Sequence, residues 1–289
     1  MKKVILLPNP AKDPNFRVAR KVILRLHSNG AKVYVDKKHQ ELIWDEVELY
    51  TAPPTDADLC VVMGGDGSFL DATPFCISHD IPLVGINLGR LGFLSIIEPD
   101  KISLLDKAFK KNPDINKRLL LRVTVQKANG ETKSYDRLAV NEVAFLHEKT
   151  VGMAEFSLHD DHGNAVSYMA DGIILATPTG SSAYSLSAGG PLLDSGVEAI
   201  CATPVCAHSF FNRSILFGKN ATLTVRNNSE RGMNLNLTID GRTIDSLEVG
   251  DEAVVSVADK QLRTVEYPSV GMLNTLRRKM EAAELKKNN

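Results

Sequence analysis

Apolar positions along this chain fall into two regimes. Up to Phe109, short all-apolar runs alternate with stretches of helical period. Val4-Ile5-Leu6-Leu7 reads as a buried strand. Phe16, Ala19, Val22, Ile23 and Leu26 recur at helical spacing, and Gly30 ends that helix, as glycine commonly does. Lys32 to Val35, Ala57 to Met63 and Ile81 to Asn87 predict further strands, with Pro53-Pro54 breaking the chain before the second of them. Phe69 to Ile77 and Ile102 to Phe109 read as helices. Apolar strands alternating with helices predict a doubly wound, parallel α/β sheet covered on both faces.

The period changes near Lys117. Leu119, Leu121, Val123 and Val125 alternate with Arg122, Thr124 and Gln126, the signature of a half-buried strand. Asn129-Gly130 is a strong hairpin signal, and further turns are marked at Gly163-Asn164, Gly218-Lys219-Asn220, Asn227-Asn228-Ser229 and Asp240-Gly241. Short strands between these turns predict a mostly antiparallel β region. Met272, Leu276, Met280, Ala283 and Leu285 then share one face of a terminal helix. The expected organisation is an α/β domain over 1–117, an all-β domain over 118–267, and a helix within 268–289 returning to the first domain.

Composition adds exclusions. Thirty-four Lys+Arg against 35 Asp+Glu leave no net field to hold nucleic acid or an anionic membrane, so any phosphate site must be local. Four apolar residues after Met-Lys-Lys are too few for a signal-peptide core, and no stretch approaches the roughly 20 apolar residues of a membrane span. A cytoplasmic protein is the expectation. Cys60, Cys76, Cys201 and Cys206 show no Cys-x-x-Cys spacing and read as buried free thiols.

Three stretches carry candidate chemistry. Gly64-Gly65-Asp66-Gly67-Ser68 follows the apolar strand ending at Met63, and ligands of open α/β sheets sit at such strand ends. Three glycines leave backbone amides uncovered for phosphate oxygens, and a helix start adds positive dipole. Asp66 would repel phosphate unless it accepts a proton from an attacking hydroxyl or holds a cation. The plainer alternative is a tight turn with Asp66 capping the helix. Asn141-Glu142 lies within a strand-like run, where neighbours face opposite ways. Both can touch one ligand only at a strand end or bulge; otherwise they are an exposed polar pair. Residues 177–191, Thr-Pro-Thr-Gly-Ser-Ser-Ala-Tyr-Ser-Leu-Ser-Ala-Gly-Gly-Pro, follow Asp171-Gly172 and the strand Ile173 to Ala176. They are too small to build a core and dense in hydroxyls, which favours a ligand loop. Ser181 or Thr179 could cap a short helix there.

These stretches, with Asn87-Leu88-Gly89-Arg90-Leu91-Gly92-Phe93-Leu94, His208 with Asn212-Arg213, and Asp240-Gly241, closely resemble the NAD kinase family of bacterial, ATP- or polyphosphate-dependent type. The resemblance implies transfer of the γ-phosphoryl of ATP to the 2′-hydroxyl of the adenosine ribose of NAD. It implies that Asp66 is the base beside that hydroxyl, with Gly64, Gly65, Gly67 and Ser68 facing the ATP phosphates. It places NAD against Asp66, Gly67, Asn141, Glu142, Asp171, Ser182, Ala183, Tyr184, Ser185, Leu186 and Ser187, most of them in the β domain. Mg²⁺ or another divalent metal is expected on the nucleotide phosphates, with no dedicated protein metal site. NAD and ATP are the expected partners, without nucleic acid or membrane, in a homodimer or homotetramer. Met169 and Arg242 depart from the family, where arginine and glutamine are frequent.

Two rivals share parts of this pattern. Lipid kinases of the diacylglycerol kinase type use similar Gly-Gly-Asp-Gly turns, but the 177–191 run speaks against them. An NAD(H)-binding regulatory sensor would keep that run without needing Asp66. A dehydrogenase should show Gly-x-Gly-x-x-Gly after the first strand, where this chain has Pro8-Asn9-Pro10.

Overall fold

A computed structural model describes residues 1–89, 92–148, 152–208, 211–229, 232–267 and 271–287, with all their side chains except 43, 44 and 282–287. The chain runs β1 (Lys3–Leu7), α1 (Arg17–Ser28), β2 (Lys32–Asp36), β3 (Glu48–Tyr50), β4 (Leu59–Gly64), α2 (Asp66–Ser78), β5 (Leu83–Asn87), β6 (Ser95–Ile97) and β7 (Ile115–Arg118). There follow β8 (Leu121–Gln126), β9 (Thr132–Ser134), β10 (Glu142–His147), β11 (Ala154–His159), β12 (Ala165–Ala170), β13 (Gly172–Ala176), α3 (Tyr184–Ser187), β14 (Ala199–Val205), β15 (Ile215–Gly218), β16 (Leu223–Asn227), β17 (Leu235–Ile239), β18 (Arg242–Leu247) and β19 (Glu252–Val257). Last come β20 (Leu262–Val265) and α4 (Met272–Lys287). Two compact units result: Met1–Lys117 with Leu262–Asn289, and Arg118–Gln261.

The first unit is built on a sheet ordered β3-β2-β1-β4-β5-β20-β7, with β6 beside β5. β1 pairs parallel with β2 and with β4, and β4 pairs parallel with β5. β4 and β5 are buried along their whole length, as their apolar runs predict. Helix α1 buries Ala19, Val22, Ile23 and Leu26, and Gly30 closes it at φ +72°. The order places β1 at the reversal of the winding. The crevice at the carboxyl ends of β1 and β4 is therefore the topological switch point, where open α/β sheets bind ligands.

Several expectations shift. Residues 262–267, assigned from the sequence to the second domain, belong to the first unit, because Thr264 pairs parallel with Leu83. α2 starts at Asp66 rather than Phe69. Residues 102–109 wind as 3₁₀ turns. β3 and β6, three residues each, are too short to show a period. On α4, Met280 is exposed, and Arg278 pairs with Glu98 while Lys279 stacks on the Phe93 ring.

The second unit is a sandwich of two six-stranded sheets, β15-β14-β13-β10-β17-β18 and β12-β11-β16-β19-β8-β9. Phe145, Ile173, Leu175 and Leu237 from one sheet meet Val123, Phe156, Val225 and Val255 from the other in a common core. The predicted hairpins form at Asn129-Gly130, Gly163-Asn164 and Asp240-Gly241, with Gly130, Gly163 and Gly241 all at positive φ.

Candidate active site

In the first unit, Gly64 ends β4 and Gly65 occupies the N-cap of α2 without any side-chain cap. The first-turn amides of that helix are thus left pointing outward. Gly64 stands at φ +153°, and a Cβ there would lie 2.3 Å from Ser68 Oγ. A Cβ on Gly67 would meet nothing within 4 Å. The Asn87-Leu88-Gly89 segment is tied to the same turn, since Leu88 N–H donates to Gly64 O at 2.8 Å.

Asp66 is the first residue of α2 and does not cap it. Its Oδ2 accepts the N–H of Phe93 at 2.9 Å, and its Oδ1 accepts those of Leu94 and Ser95 at 3.1 Å each. A carboxylate has about four acceptor positions. Three are spent on orientation, so the remaining one, on Oδ2, is where a ligand hydroxyl can be received. This close approach depends on Gly92, where a Cβ would lie 2.0 Å from Asp66 Oδ1. Arg90 and Leu91 of the motif lie outside the described residues.

Two residues of the loop after β1 join this site, and the sequence reading passed over both. Asn9 Nδ2 donates to Ser68 Oγ at 3.3 Å. Lys12 Nζ would lie 3.1 Å from a Cβ on Gly65 and 3.4 Å from one on Gly89. The available signal was position: the loop after the first strand of a doubly wound sheet opens on the switch point.

In the second unit, Asn141 and Glu142 stand at the start of β10, a strand end as both would need. Asp240 fixes them there. Its carboxylate accepts the N–H groups of Val140 at 3.0 Å, Asn141 at 2.7 Å and Glu142 at 3.2 Å. Glu142 is 5% exposed; it accepts the Tyr184 N–H, and its Oε2 is buried with no partner among the described residues. Burial above all, then the Asp240 charge, pushes its carboxyl up to about 7, against the pull of the Tyr184 amide.

The 177–191 loop is held by its own hydroxyls. Thr177 Oγ1 donates to Val140 O at 2.6 Å and accepts the Gly180 N–H at 3.0 Å. Thr177 therefore closes the turn that Thr179 or Ser181 was expected to cap. Ser181 Oγ donates to Pro178 O at 2.6 Å and accepts Leu193 N–H at 2.9 Å. Ser185, expected beside NAD, is fully buried, with its hydroxyl bonded to Thr203 Oγ1 at 3.0 Å; it supports the loop from beneath. Tyr184, Leu186 and Ser187 face outward, and Ser182 and Ala183 are half-buried. Thus Asn141, Glu142 and residues 177–184 come together.

Asp171 sits elsewhere on the ladder. Glu142 pairs with Ala176, whereas Leu146 pairs with Gly172, which puts Asp171 roughly 16 Å along the strand from the Glu142 end. It contacts His147 Nε2 at 3.3 Å and the Cys206 thiol. Tyr184 links the two ends: burial chiefly, then the charges of Cys206, Asp171 and Glu142, raise its phenol above its ordinary value. Cys206 is exposed, contrary to expectation, because it lies just past β14 at φ +49°. Among the described residues no cluster of three or more His, Cys, Asp or Glu could hold a metal.

An uncapped glycine turn at a switch point and a sandwich carrying the buried Glu142 beside the half-buried Asp240 define a two-unit nucleotide-handling protein. Comparison makes this specific. The ATP-NAD kinase N-terminal domain matches residues 4–112, and the ATP-NAD kinase C-terminal domain matches 140–267. The NAD kinase of Thermoanaerobacter sp. (strain X514) is 30% identical over 286 residues, covering 97% of this chain and 99% of the relative. That of Solibacter usitatus (strain Ellin6076) is 36% identical over 234 residues, 80% of each chain. This chain belongs to the NAD kinase family. The fold agrees with a yeast NADH kinase complexed with NADH, at TM-score 0.83 and 24% identity over 96% of this chain and 86% of that one. It agrees also with an Archaeoglobus fulgidus NAD kinase in complex with ATP, at TM-score 0.72 and 22% identity over 96% and 99%. Among the described residues no helix is long and apolar enough to cross a membrane.

Proposed function

We propose that this chain transfers the γ-phosphoryl group of ATP to the adenosine-ribose 2′-hydroxyl of NAD, giving NADP. One observation carries the reading: in a chain that matches both NAD kinase domains, Asp66 is held by three amides at the uncapped start of α2, with one position on Oδ2 left over.

Phosphoryl transfer asks the protein mainly for position and charge. The glycine turn supplies amides to the ATP phosphates through Gly64, Gly65, Gly67 and Ser68. Asp66 Oδ2 receives the proton of the 2′-hydroxyl as its oxygen bonds to phosphorus and the bond to the β-phosphate breaks. Asn141, Glu142, Asp171 and the loop residues Ser182, Ala183, Tyr184, Leu186 and Ser187 hold NAD, mostly from the second unit. The residues present fit a cation carried in on the nucleotide, since phosphate-bound Mg²⁺ needs few protein ligands. Such a cation neutralises charge on the phosphates. The family resemblance also supports a cytoplasmic location and a homodimer or homotetramer.

The test mixes purified full-length protein with NAD⁺, ATP and Mg²⁺ and reads NADP with an NADP-specific dehydrogenase. Wild type should form product; Asp66→Asn should nearly abolish it while still binding NAD. Absence of product from wild type, with NAD bound, would replace this reading by that of a sensor. An active Asp66→Asn would remove the base.

A further inference from the structure

We infer that Lys12 is the cation that receives the terminal phosphates of a nucleoside triphosphate in the first unit, working with the amides of the Gly64–Ser68 turn. The inference rests on the phosphotransferase reading above and extends it to a loop that carries none of the family's glycine or Asn-Glu motifs.

Lys12 lies in the loop leaving β1, and the glycine turn leaves β4. These are the two strand ends that border the switch point of the sheet. The Lys12 ammonium reaches into the notch, 3.1 Å from where a Gly65 Cβ would stand and 3.4 Å from that of Gly89. The notch is therefore shaped by the absence of side chains at Gly65 and Gly89, and Lys12 closes one side of it.

The loop is held firmly. Asn9 O accepts the N–H groups of Lys12 at 3.1 Å and Asp13 at 2.9 Å, and Asn9 Nδ2 reaches across to Ser68 Oγ. Asp13, 3% exposed, accepts the Val18 and Ala19 amides at the start of α1. Only the Lys12 side chain remains uncommitted: it has no hydrogen-bond or ion-pair partner among the described residues. The nearby carboxylate, Asp66, is turned to the 93–95 amides instead. An unpaired ammonium, amide donors and an uncapped helix start converge on one notch, and a chain of phosphates is the ligand that satisfies all three. Lys12 forms no bond to phosphorus and keeps its proton throughout; as a point charge on a flexible stem it can follow the transferred group.

The experiment compares full-length wild type, Lys12→Gln and Lys12→Arg, varying ATP and NAD separately, with inorganic triphosphate as a second probe. Lys12→Gln should lower kcat/KM for ATP by roughly tenfold to a hundredfold, the worth of one charge-assisted hydrogen bond, with the KM for NAD unchanged. Lys12→Arg should recover part of the loss. Inorganic triphosphate should raise the melting temperature of wild type but not of Lys12→Gln. Wild-type ATP kinetics in Lys12→Gln, or a KM for NAD that rises as much as the KM for ATP, would overturn the assignment. Should wild type form no NADP, the phosphotransferase reading fails alone. Triphosphate protection confined to wild type then still supports Lys12, and equal protection of both proteins removes it.

Discussion

Residues 64–68 and residues 177–191 are both made of small side chains, but they are small for opposite reasons. In the first stretch, a Cβ on Gly67 would meet open space and one on Gly65 only the tip of Lys12. In the second, a Cβ on Gly180 would lie 1.9 Å from Asn141 O, and one on Gly190 would lie 2.4 Å from Ser185 Oγ. Past Gly64, which packs on Ser68, the first stretch is small so that something from outside can come close; at Gly180 and Gly190 the second is small so that the chain can close on itself. The hydroxyls follow the same division. Thr177, Ser181 and Ser185 are buried and bonded internally, so their hydroxyls fix the shape of the loop that carries Ser182 to Tyr184. Hydroxyl density in a sequence therefore marks a loop with a fixed shape, held by its own buried hydroxyls.

The sharpest way to break the comparison is at Gly92, a glycine that lets the backbone pack against the Asp66 carboxylate itself. Gly92→Ala should displace the Asp66 carboxylate and lower NADP formation roughly a hundredfold or more, the cost of misplacing a reacting group by about 1 Å. Turnover at the wild-type level in a folded Gly92→Ala protein would show that the amide clamp on Asp66 is dispensable.

The buried carboxylate of the second unit gives the next effect. Because the Glu142 carboxyl stands at about 7 when folded, against an ordinary value near 4.5, the folded state binds its proton more tightly than the unfolded chain does. That stabilisation is fully present at low pH and is lost as pH rises through 7. It amounts to on the order of 3 kcal/mol over that window. Glu142→Gln does not titrate, so its melting temperature should gain on wild type between pH 5 and pH 8. Parallel melting curves for the two proteins across that range would discard the raised carboxyl.

Asp240→Asn tests the support beneath that group. The amide nitrogen of Asn cannot accept a hydrogen bond, so at least one of the three N–H groups at 140–142 loses its acceptor, at about 1–3 kcal/mol. Removing the second negative charge should also move the Glu142 step to lower pH. Denaturant unfolding reads the first effect and pH-dependent melting the second; an unaltered pH step with reduced stability would leave Asp240 as scaffold only.

Most of the framework was legible because it is local. The β1, β4 and β5 runs, the period of α1 and the hairpin glycines are properties of neighbouring residues. The resemblance reached the right motifs for the same reason. What stayed hidden depends on distant contacts. The clamp on Asp66 joins residues 66 and 93–95. The Asp240 bonds join residues nearly a hundred apart in sequence. Lys12 gains meaning only when strand order places its loop beside the glycine turn. Ser185 shows what a run of motif residues does not reveal: the helical turn of α3 directs its side chain inward between exposed Tyr184 and Leu186.

Tyr184 offers the smallest and most discriminating measurement. Its backbone N–H is held by Glu142, while the residue is 38% exposed and its phenol lies near Asp171 and Cys206. Main-chain anchoring means that the side chain can be removed without unfastening the loop. Tyr184→Ala should therefore leave the melting temperature close to that of wild type and weaken NAD binding about tenfold, the scale of one lost aromatic contact of about 1–1.5 kcal/mol. Tyr184→Phe separates the two parts of the residue. If the ring stacks on a base, Phe retains affinity; if the hydroxyl is the contact, Phe falls with Ala. Unchanged NAD affinity in both variants would take Tyr184 out of the site. The outward face of the 177–191 loop would then be as structural as its buried one, and the contrast with the glycine turn would be complete.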